Sequence, residues 1–237
     1  MTKEKCKPLK NYNNPKLLWR DDRIPIAQKF DDHYFSLDNG LEEVRHVFLN
    51  GNKLSNRLNN GFKIAELGFG TGLNFLSTLW LWRLKKQKGK IFYTSFEAFP
   101  LQPIEMLKAQ NEFPELSDLK DEFYSLWSTL LEKGELSGND YNLRLILGDA
   151  RRTIKQFDTQ VDCWFLDGFS PAKNPELWEE DLLKNVYRCT ANGGTLSTYS
   201  AAGYVRRNLS LAGFQVERIS GFGRKRHMTI ALKNDEK

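Results

Sequence analysis

Short apolar runs alternate with longer amphipathic stretches along most of this chain, and that alternation predicts an α/β domain. Phe62–Leu67 reads as a short buried strand, followed by a glycine-rich turn and an apolar helix over Leu73–Leu84. Ile91–Phe96 is a second strand, Pro103–Gln110 begins a helix, and Leu116–Leu131 carries more helical spacing. Leu143–Leu147 is a third strand, ended by Gly148-Asp149, and Val161–Leu166 is the most strand-like segment of all. Leu177–Tyr187 reads as a helix, and Gly193-Gly194 turns into a strand over Thr195–Tyr199. Gly203–Leu211 is a helix with Gly213 just past its end, where a left-handed residue stops it. Phe214–Ile219 and Met228–Leu232 lie too close together for a helix between them, so they form a hairpin. Strands alternating with helices imply a mostly parallel sheet covered on both faces. The pattern predicts a seven-stranded sheet with one antiparallel strand at its edge.

Ahead of that domain the pattern is weaker. Residues 24–60 alternate loosely, with a helix predicted over Leu41–Phe48 and Gly51 as its stop, and read as a cap. Residues 1–23 are polar and rich in Lys, Asn and Asp, with Pro15 inside them and Pro25 just after as punctuation; they read as a loosely ordered basic arm. The domain itself is assigned to residues 61–237. At 237 residues, 40% hydrophobic and 27% charged, the composition is that of an ordinary globular protein rather than a disordered one.

Charge adds a hint about partners. The net charge is +5 and the pI about 9.0, which favours polyanions through long-range attraction. The basic residues cluster: eight Lys/Arg within residues 1–30, five from Arg83 to Lys90, and a C-terminal set including Arg206, Arg207, Arg218 and Arg224 to Arg226. Cys6, Cys163 and Cys189 have no C-x-x-C spacing, and His33, His46 and His227 form no ligand cluster, so neither a disulfide framework nor a metal site is expected. No apolar stretch is long enough for a membrane span and no signal segment is visible, which fits a cytoplasmic protein.

The chemistry starts at Glu66-Leu67-Gly68-Phe69-Gly70-Thr71-Gly72, between the first strand of the main sheet and its helix. Ligands of doubly wound sheets bind at the carboxyl ends of strands, and glycines there let backbone approach a ligand closely. A dinucleotide loop would need glycine at position 73, which is Leu73, and Glu66 would repel a pyrophosphate. The pattern favours S-adenosylmethionine, whose sulfonium is cationic, on a Rossmann-like fold. Glu97 at the second strand's end is placed for ribose hydroxyls, and Asp149 at the third strand's end for the adenine.

After the fourth strand comes Asp167-Gly168-Phe169-Ser170-Pro171-Ala172-Lys173-Asn174-Pro175. In outline it resembles the D-P-P-Y-type loop of amino-group methyltransferases, with Asp167 orienting the nucleophile and Phe169 the aromatic. A primary alkylamine has a pKa of roughly 10, so it arrives as ammonium with no lone pair to attack. A buried carboxylate can hold it and manage its proton. The plainer reading is an Asp that caps a turn, with the prolines ending the strand.

These segments, with Asp31-Asp32-His33-Tyr34-Phe35-Ser36 before them and Gly221-Phe222-Gly223-Arg224-Lys225-Arg226 after, resemble the methyltransferase domain of the MnmC proteins from about residue 24 to 232. The resemblance implies methylation of tRNA: 5-aminomethyl-2-thiouridine at the wobble position becomes 5-methylaminomethyl-2-thiouridine, with S-adenosylmethionine as donor. It implies that Glu66, Gly68, Gly70, Gly72 and Asn74 form the cofactor loop, that Glu97 and Asp149 complete the pocket, and that Asp167 faces the aminomethyl group. Phe169, Lys173, Arg224, Lys225 and Arg226 would contact the substrate, and Tyr34 and Phe35 would close over the site or pack on the domain. Many such proteins carry a fused FAD-dependent oxidoreductase. No second glycine-rich fingerprint appears here, so separate enzymes are expected to supply the aminomethyl substrate. Two other classes use the same residues: a small-molecule amine methyltransferase, and a non-catalytic RNA-binding protein on a degenerate fold. A nicotinamide oxidoreductase is disfavoured by Leu73 and Glu66.

Overall fold

The computed structural model describes residues 14–234. Leu17–Arg20 (β1), Ile24–Ala27 (β2) and Asp32–His33 (β3) form an antiparallel three-stranded sheet. Gly40–Val44 (α1) follows, and its helix continues in π-helical form through Arg45–Asn50 before Leu54–Arg57 (α2). The main domain runs Lys63–Leu67 (β4), Leu73–Leu84 (α3), Ile91–Glu97 (β5), Pro103–Gln110 (α4), Ser117–Lys133 (α5), Glu135–Ser137 (β6) and Tyr141–Leu147 (β7). It continues with Ala150–Thr153 (α6), Val161–Leu166 (β8), Glu180–Arg188 (α7), Thr190–Thr198 (β9), Gly203–Ala212 (α8), Gln215–Ser220 (β10) and His227–Leu232 (β11).

The main sheet has the order β10-β11-β9-β8-β4-β5-β7-β6. From β9 to β7 the pairing is parallel; β11, β10 and β6 pair antiparallel. The sheet therefore has 8 strands, one more than the sequence pattern predicted. The extra one is β6: Gly134 ends α5 in the left-handed region (φ +76°), and Glu135–Ser137 folds back on β7. Three residues are too few for periodicity to reveal.

Strand side chains alternate between two cores. Ile64, Tyr93, Leu143, Cys163 and Phe165 face α3, α5 and the cap, whereas Leu67, Phe96, Trp164 and Leu166 face α6 to α8. Helix α3 is buried almost all round, because the sheet covers one side and the cap the other. That enclosure explains why Asn74, Ser77 and Thr78 are buried polar residues. Ser77 and Thr78 donate back to the carbonyls of Leu73 and Asn74, at 2.7 and 2.8 Å.

Two expectations need correction. The supposed basic arm holds a strand: Leu17–Arg20 pairs with β2, while Cys6 and the basic residues of 1–13 lie outside the described residues. Strand β9 begins at Thr190, so Gly193-Gly194 lies inside it, beside a register irregularity opposite Val161 and Cys163. Gly51 does end the helix as expected, but in right-handed conformation. Its φ is −55°, and the left-handed residue is Lys53. Glycine is needed there for space: a Cβ would run into the Val47 carbonyl oxygen and approach Ser197 Cβ to 3.0 Å. Gly51→Ala is expected to lose about 1–3 kcal/mol of stability through overpacking. A denaturant midpoint that did not move would show that the helix end shifts freely.

Candidate active site

The carboxyl ends of β4, β5, β7 and β8 converge with the N-terminal sheet around a cavity of about 920 Å³. That is within the roughly 300–1,000 Å³ of small-molecule and cofactor sites. Gly68, Gly70, Asn74, Glu97 and Asp149 line it, as do Asp167, Phe169, Lys173, Arg224 and Lys225. Glu66, Gly72 and Arg226 do not.

Asn74 organises the floor. Its side-chain amide donates to Glu66 Oε1 at 2.7 Å and to Asp167 Oδ2 at 2.8 Å. Asp167 Oδ1 accepts from its neighbour's backbone, Gly168 N, at 2.9 Å. Burial pushes the Asp167 carboxyl up to about 7, against the pull of Asn74 and Gly168. Burial likewise pushes Glu66 up to about 8, against Ser95 and Asn74, with Asp167 adding repulsion. Glu66 is therefore mostly neutral at pH 7 and lies beneath the cavity, joined to it through Asn74. Asn74 Oδ1 and Glu66 Oε2 are buried with no hydrogen-bond partner among the described residues.

These shifts carry a stability consequence. A carboxyl whose folded pKa exceeds its unfolded one stabilises the fold at low pH and loses that contribution as pH rises through the folded value. For Glu66 the loss falls between about 4.5 and about 8. Glu66→Gln removes it. The variant's thermal stability relative to the parent is expected to climb from pH 5 to 8, by at most ~1.4 kcal/mol per pH unit. A constant difference across that range would mean that Glu66 does not change its protonation.

The glycine loop owes its path to close approach. Gly68 has φ +89°, and a Cβ there would lie 2.8 Å from the Asp167 carbonyl oxygen, so the loops after β4 and β8 meet backbone to backbone. A Cβ on Gly70 (φ +53°) would press on the Tyr34 ring at 3.2 Å. Glu97 braces the same loop: Oε2 accepts from Gly70 N at 2.9 Å and Oε1 from Phe99 N at 2.7 Å. Burial raises its pKa despite those bonds. Asp149 caps α6 by accepting from Arg151 N at 2.9 Å and pairs with the Arg151 guanidinium at 2.7 Å. That guanidinium holds its pKa below the usual carboxylate range. Asp149 thus caps a helix as well as lining the cavity.

The loop after β8 is fastened from several sides. Tyr199 Oη donates to Gly168 O at 2.7 Å, Trp178 Nε1 to Phe169 O at 3.2 Å and Tyr204 Oη to Pro171 O at 2.9 Å. From the N-terminal sheet, Asp32 Oδ2 accepts from Ser170 N at 2.7 Å, and Asp31 Oδ2 pairs with Lys173 Nζ at 2.9 Å. Phe169 stacks on Phe30 with centroids 4.6 Å apart and meets Tyr34 edge-on at 5.2 Å. Phe30 in turn contacts Phe99 at 5.7 Å. Phe35 packs on Phe113, 5.0 Å away, so of the two cap aromatics Tyr34 is the one against Phe169.

At the mouth, Lys225 pairs with Glu43 at 2.7 Å and lies 4.1 Å over the Tyr199 ring. Arg224 is almost fully exposed and 3.6 Å from Asp38. Phe30, Glu43, Phe99, Arg151 and Tyr199 are site residues that the sequence reading missed. They are brought together from distant segments, and no local spacing marks them. Asp32 lay within a quoted motif but had been given no role.

Comparison with known proteins agrees with this geometry. Residues 111–234, more than half of the chain, match a family model described as S-adenosyl-L-methionine-dependent methyltransferase. A protein of Leptospira interrogans, "tRNA 5-methylaminomethyl-2-thiouridine biosynthesis bifunctional protein MnmC", is 42% identical over 92% of this chain and 35% of its own length. A Marinomonas protein of the same name is 40% identical over 93% of this chain and 34% of its own length. The chain thus spans about a third of the curated relatives it matches. The crystal structure of MnmC2 from Aquifex aeolicus superposes with a TM-score of 0.75 at 28% identity, covering 95% of this chain and 72% of that one. With the glycine loop, the acidic strand ends and this family match in agreement, the chain belongs to the S-adenosyl-L-methionine-dependent methyltransferases.

Proposed function

We propose that this chain transfers a methyl group from S-adenosylmethionine to the aminomethyl nitrogen of wobble 5-aminomethyl-(2-thio)uridine in tRNA. The names of the Leptospira and Marinomonas relatives support the substrate class. The observation that carries the chemistry is Asp167, a half-buried carboxylate on the cavity wall with its pKa raised to about 7.

The residues present fit the methyl donor. The loop carrying Gly68 and Gly70 offers bare backbone to the cavity. Each Glu97 oxygen accepts one backbone N–H and keeps acceptor capacity for a ribose hydroxyl. Asp149, held ionised by Arg151, would take the adenine amino group. Asn74 Oδ1 is buried without a partner and suits a donor such as the cofactor's ammonium. When bound, S-adenosylmethionine supplies an electrophilic methyl group on a sulfonium.

The chain's own residues then handle the nucleophile. Asp167, ionised above about 7, receives the substrate ammonium as a hydrogen-bonded ion pair and accepts its proton as the nitrogen commits its lone pair. The fastening of the loop by Tyr199, Trp178, Tyr204 and Asp32 holds that carboxylate in place, so positioning contributes to the rate. Phe169 would pack on the base. Lys173 and Arg224 to Arg226 would meet the RNA, with Arg226 reaching it from outside the cavity. Because the reaction consumes a primary amine on C5, an activity that installs that amine must precede it.

The reading is tested by comparing free 5-aminomethyluridine with tRNA carrying it. kcat/KM is expected to be far higher on tRNA and to fall steeply with salt, since phosphate contacts release counterions. Equal rates on the free nucleoside would move the substrate to small amines.

A further inference from the structure

Glu43 and Lys225 form an ion pair that the methyl-transfer chemistry does not use. Glu43 comes from α1 and Lys225 from the turn between β10 and β11, yet both line the cavity that Asp167 lines. Their charged groups are 2.7 Å apart; the Glu43 side chain is 13% exposed and that of Lys225 45%. Lys225 Nζ rests 4.1 Å over the Tyr199 ring, and the Tyr199 hydroxyl bonds Gly168 O, next to Asp167. The pair therefore presents a donor and an acceptor side by side on the Asp167 side of the cavity.

We propose that Lys225 and Glu43 read the base edge: Lys225 donates to O4 of the uracil and Glu43 accepts its N3–H. The inference rests on the tRNA reading above. In a 5-aminomethyluracil, C5 carries the amine and the next groups along the ring are O4, an acceptor, and N3–H, a donor. With the amine on Asp167, the following position needs a donor and the one after it an acceptor. A wobble base lies in a single-stranded loop, where proteins read this edge by hydrogen bonds. Cytosine reverses both demands, offering a 4-amino donor to Lys225 and a bare N3 lone pair to Glu43. The electrostatics agree: Glu43 raises and Lys225 lowers the pKa of Asp167, and all three side chains line the same cavity.

The test uses two synthetic anticodon stem-loops that differ only in carrying 5-aminomethyluridine or 5-aminomethylcytidine at the wobble position. The parent is expected to prefer the uridine probe. Lys225→Met and Glu43→Met should raise KM for it and lower the uridine-to-cytidine ratio by about 10-fold to 100-fold, with S-adenosylmethionine binding retained and the ratio read on the alkaline side of the Asp167 pKa. The double swap Glu43→Lys with Lys225→Glu rebuilds the ion pair with donor and acceptor exchanged. It should recover thermal stability yet shift preference toward cytidine. A swap that restores the parent's uridine preference would reduce the pair to a structural clasp and overturn the proposal, as would single variants with an unchanged ratio. A parent that methylates neither probe would bring down the tRNA reading and this one together. If the parent methylates the uridine probe and the variants match it, only the base-reading role falls.

Discussion

Asp167→Asn, assayed at saturating S-adenosylmethionine, is expected to lower turnover by roughly 10²-fold to 10⁴-fold, the range of a positioned general base. The substitution keeps the shape and the bond from Gly168 N but removes the proton acceptor. It sets a new amide donor against the Asn74 donor 2.8 Å away. Asn74 can relieve that conflict by turning its amide, because its own Oδ1 has no partner and Glu66, with a pKa of about 8, is a neutral donor at pH 7. The fold should survive, so the loss reads chemistry. In the parent, kcat/KM should rise with pH through about 7 as Asp167 loses its proton. The variant should lack that limb. Turnover equal to the parent's would remove Asp167 from the mechanism.

Asn74→Ala should give the second-largest effect, with a different signature. One amide bridges the buried Glu66 and the half-buried Asp167. Without it, each charged form loses a hydrogen bond of about 1.5–3 kcal/mol, which is roughly one to two pH units. Both carboxyls already lie high because of burial, and this change moves them higher. Asp167 would then be largely protonated at neutral pH, and turnover should fall about 5-fold to 50-fold there. Unlike Asp167→Asn, the variant should regain much of its rate near pH 9. A loss that does not depend on pH would mean that Asn74 serves the cofactor and not the proton.

The main sheet and most of its helices were legible because burial wrote them locally. Val161–Leu166 is apolar and buried on both faces apart from Asp162, and Pro103–Gln110 begins at its proline, so the elements coincide with those expected. The N-terminal sheet was not legible. Leu17–Arg20 alternates only between half-buried and exposed positions, and β3 has two residues. Its stability comes from backbone pairing and from docking on the distant loop after β8, through Asp31, Asp32 and Phe30. Gly193-Gly194 looked like a turn because glycine pairs usually are. Here a Cβ on Gly194 would come within 2.6 Å of Thr190 Cγ2, so crowding inside the strand selects it.

The site divides the same way. The glycine loop and the acids at strand ends were readable because loop and strand end are adjacent in sequence. Sequence alone suggested that Glu66 faces the cofactor with its charge, whereas the structure buries it beneath Asn74 and raises its pKa. The rim residues Phe30, Glu43, Phe99 and Tyr199 come together only through folding.

The most direct test incubates the protein with methyl-labelled S-adenosylmethionine and tRNA from cells lacking it, followed by digestion and mass spectrometry of the nucleosides. Label on the side-chain nitrogen of 5-methylaminomethyl-(2-thio)uridine is the expected result, fixing donor, acceptor atom and substrate together. Unlabelled tRNA, from protein shown to bind the cofactor, would contradict the proposed function.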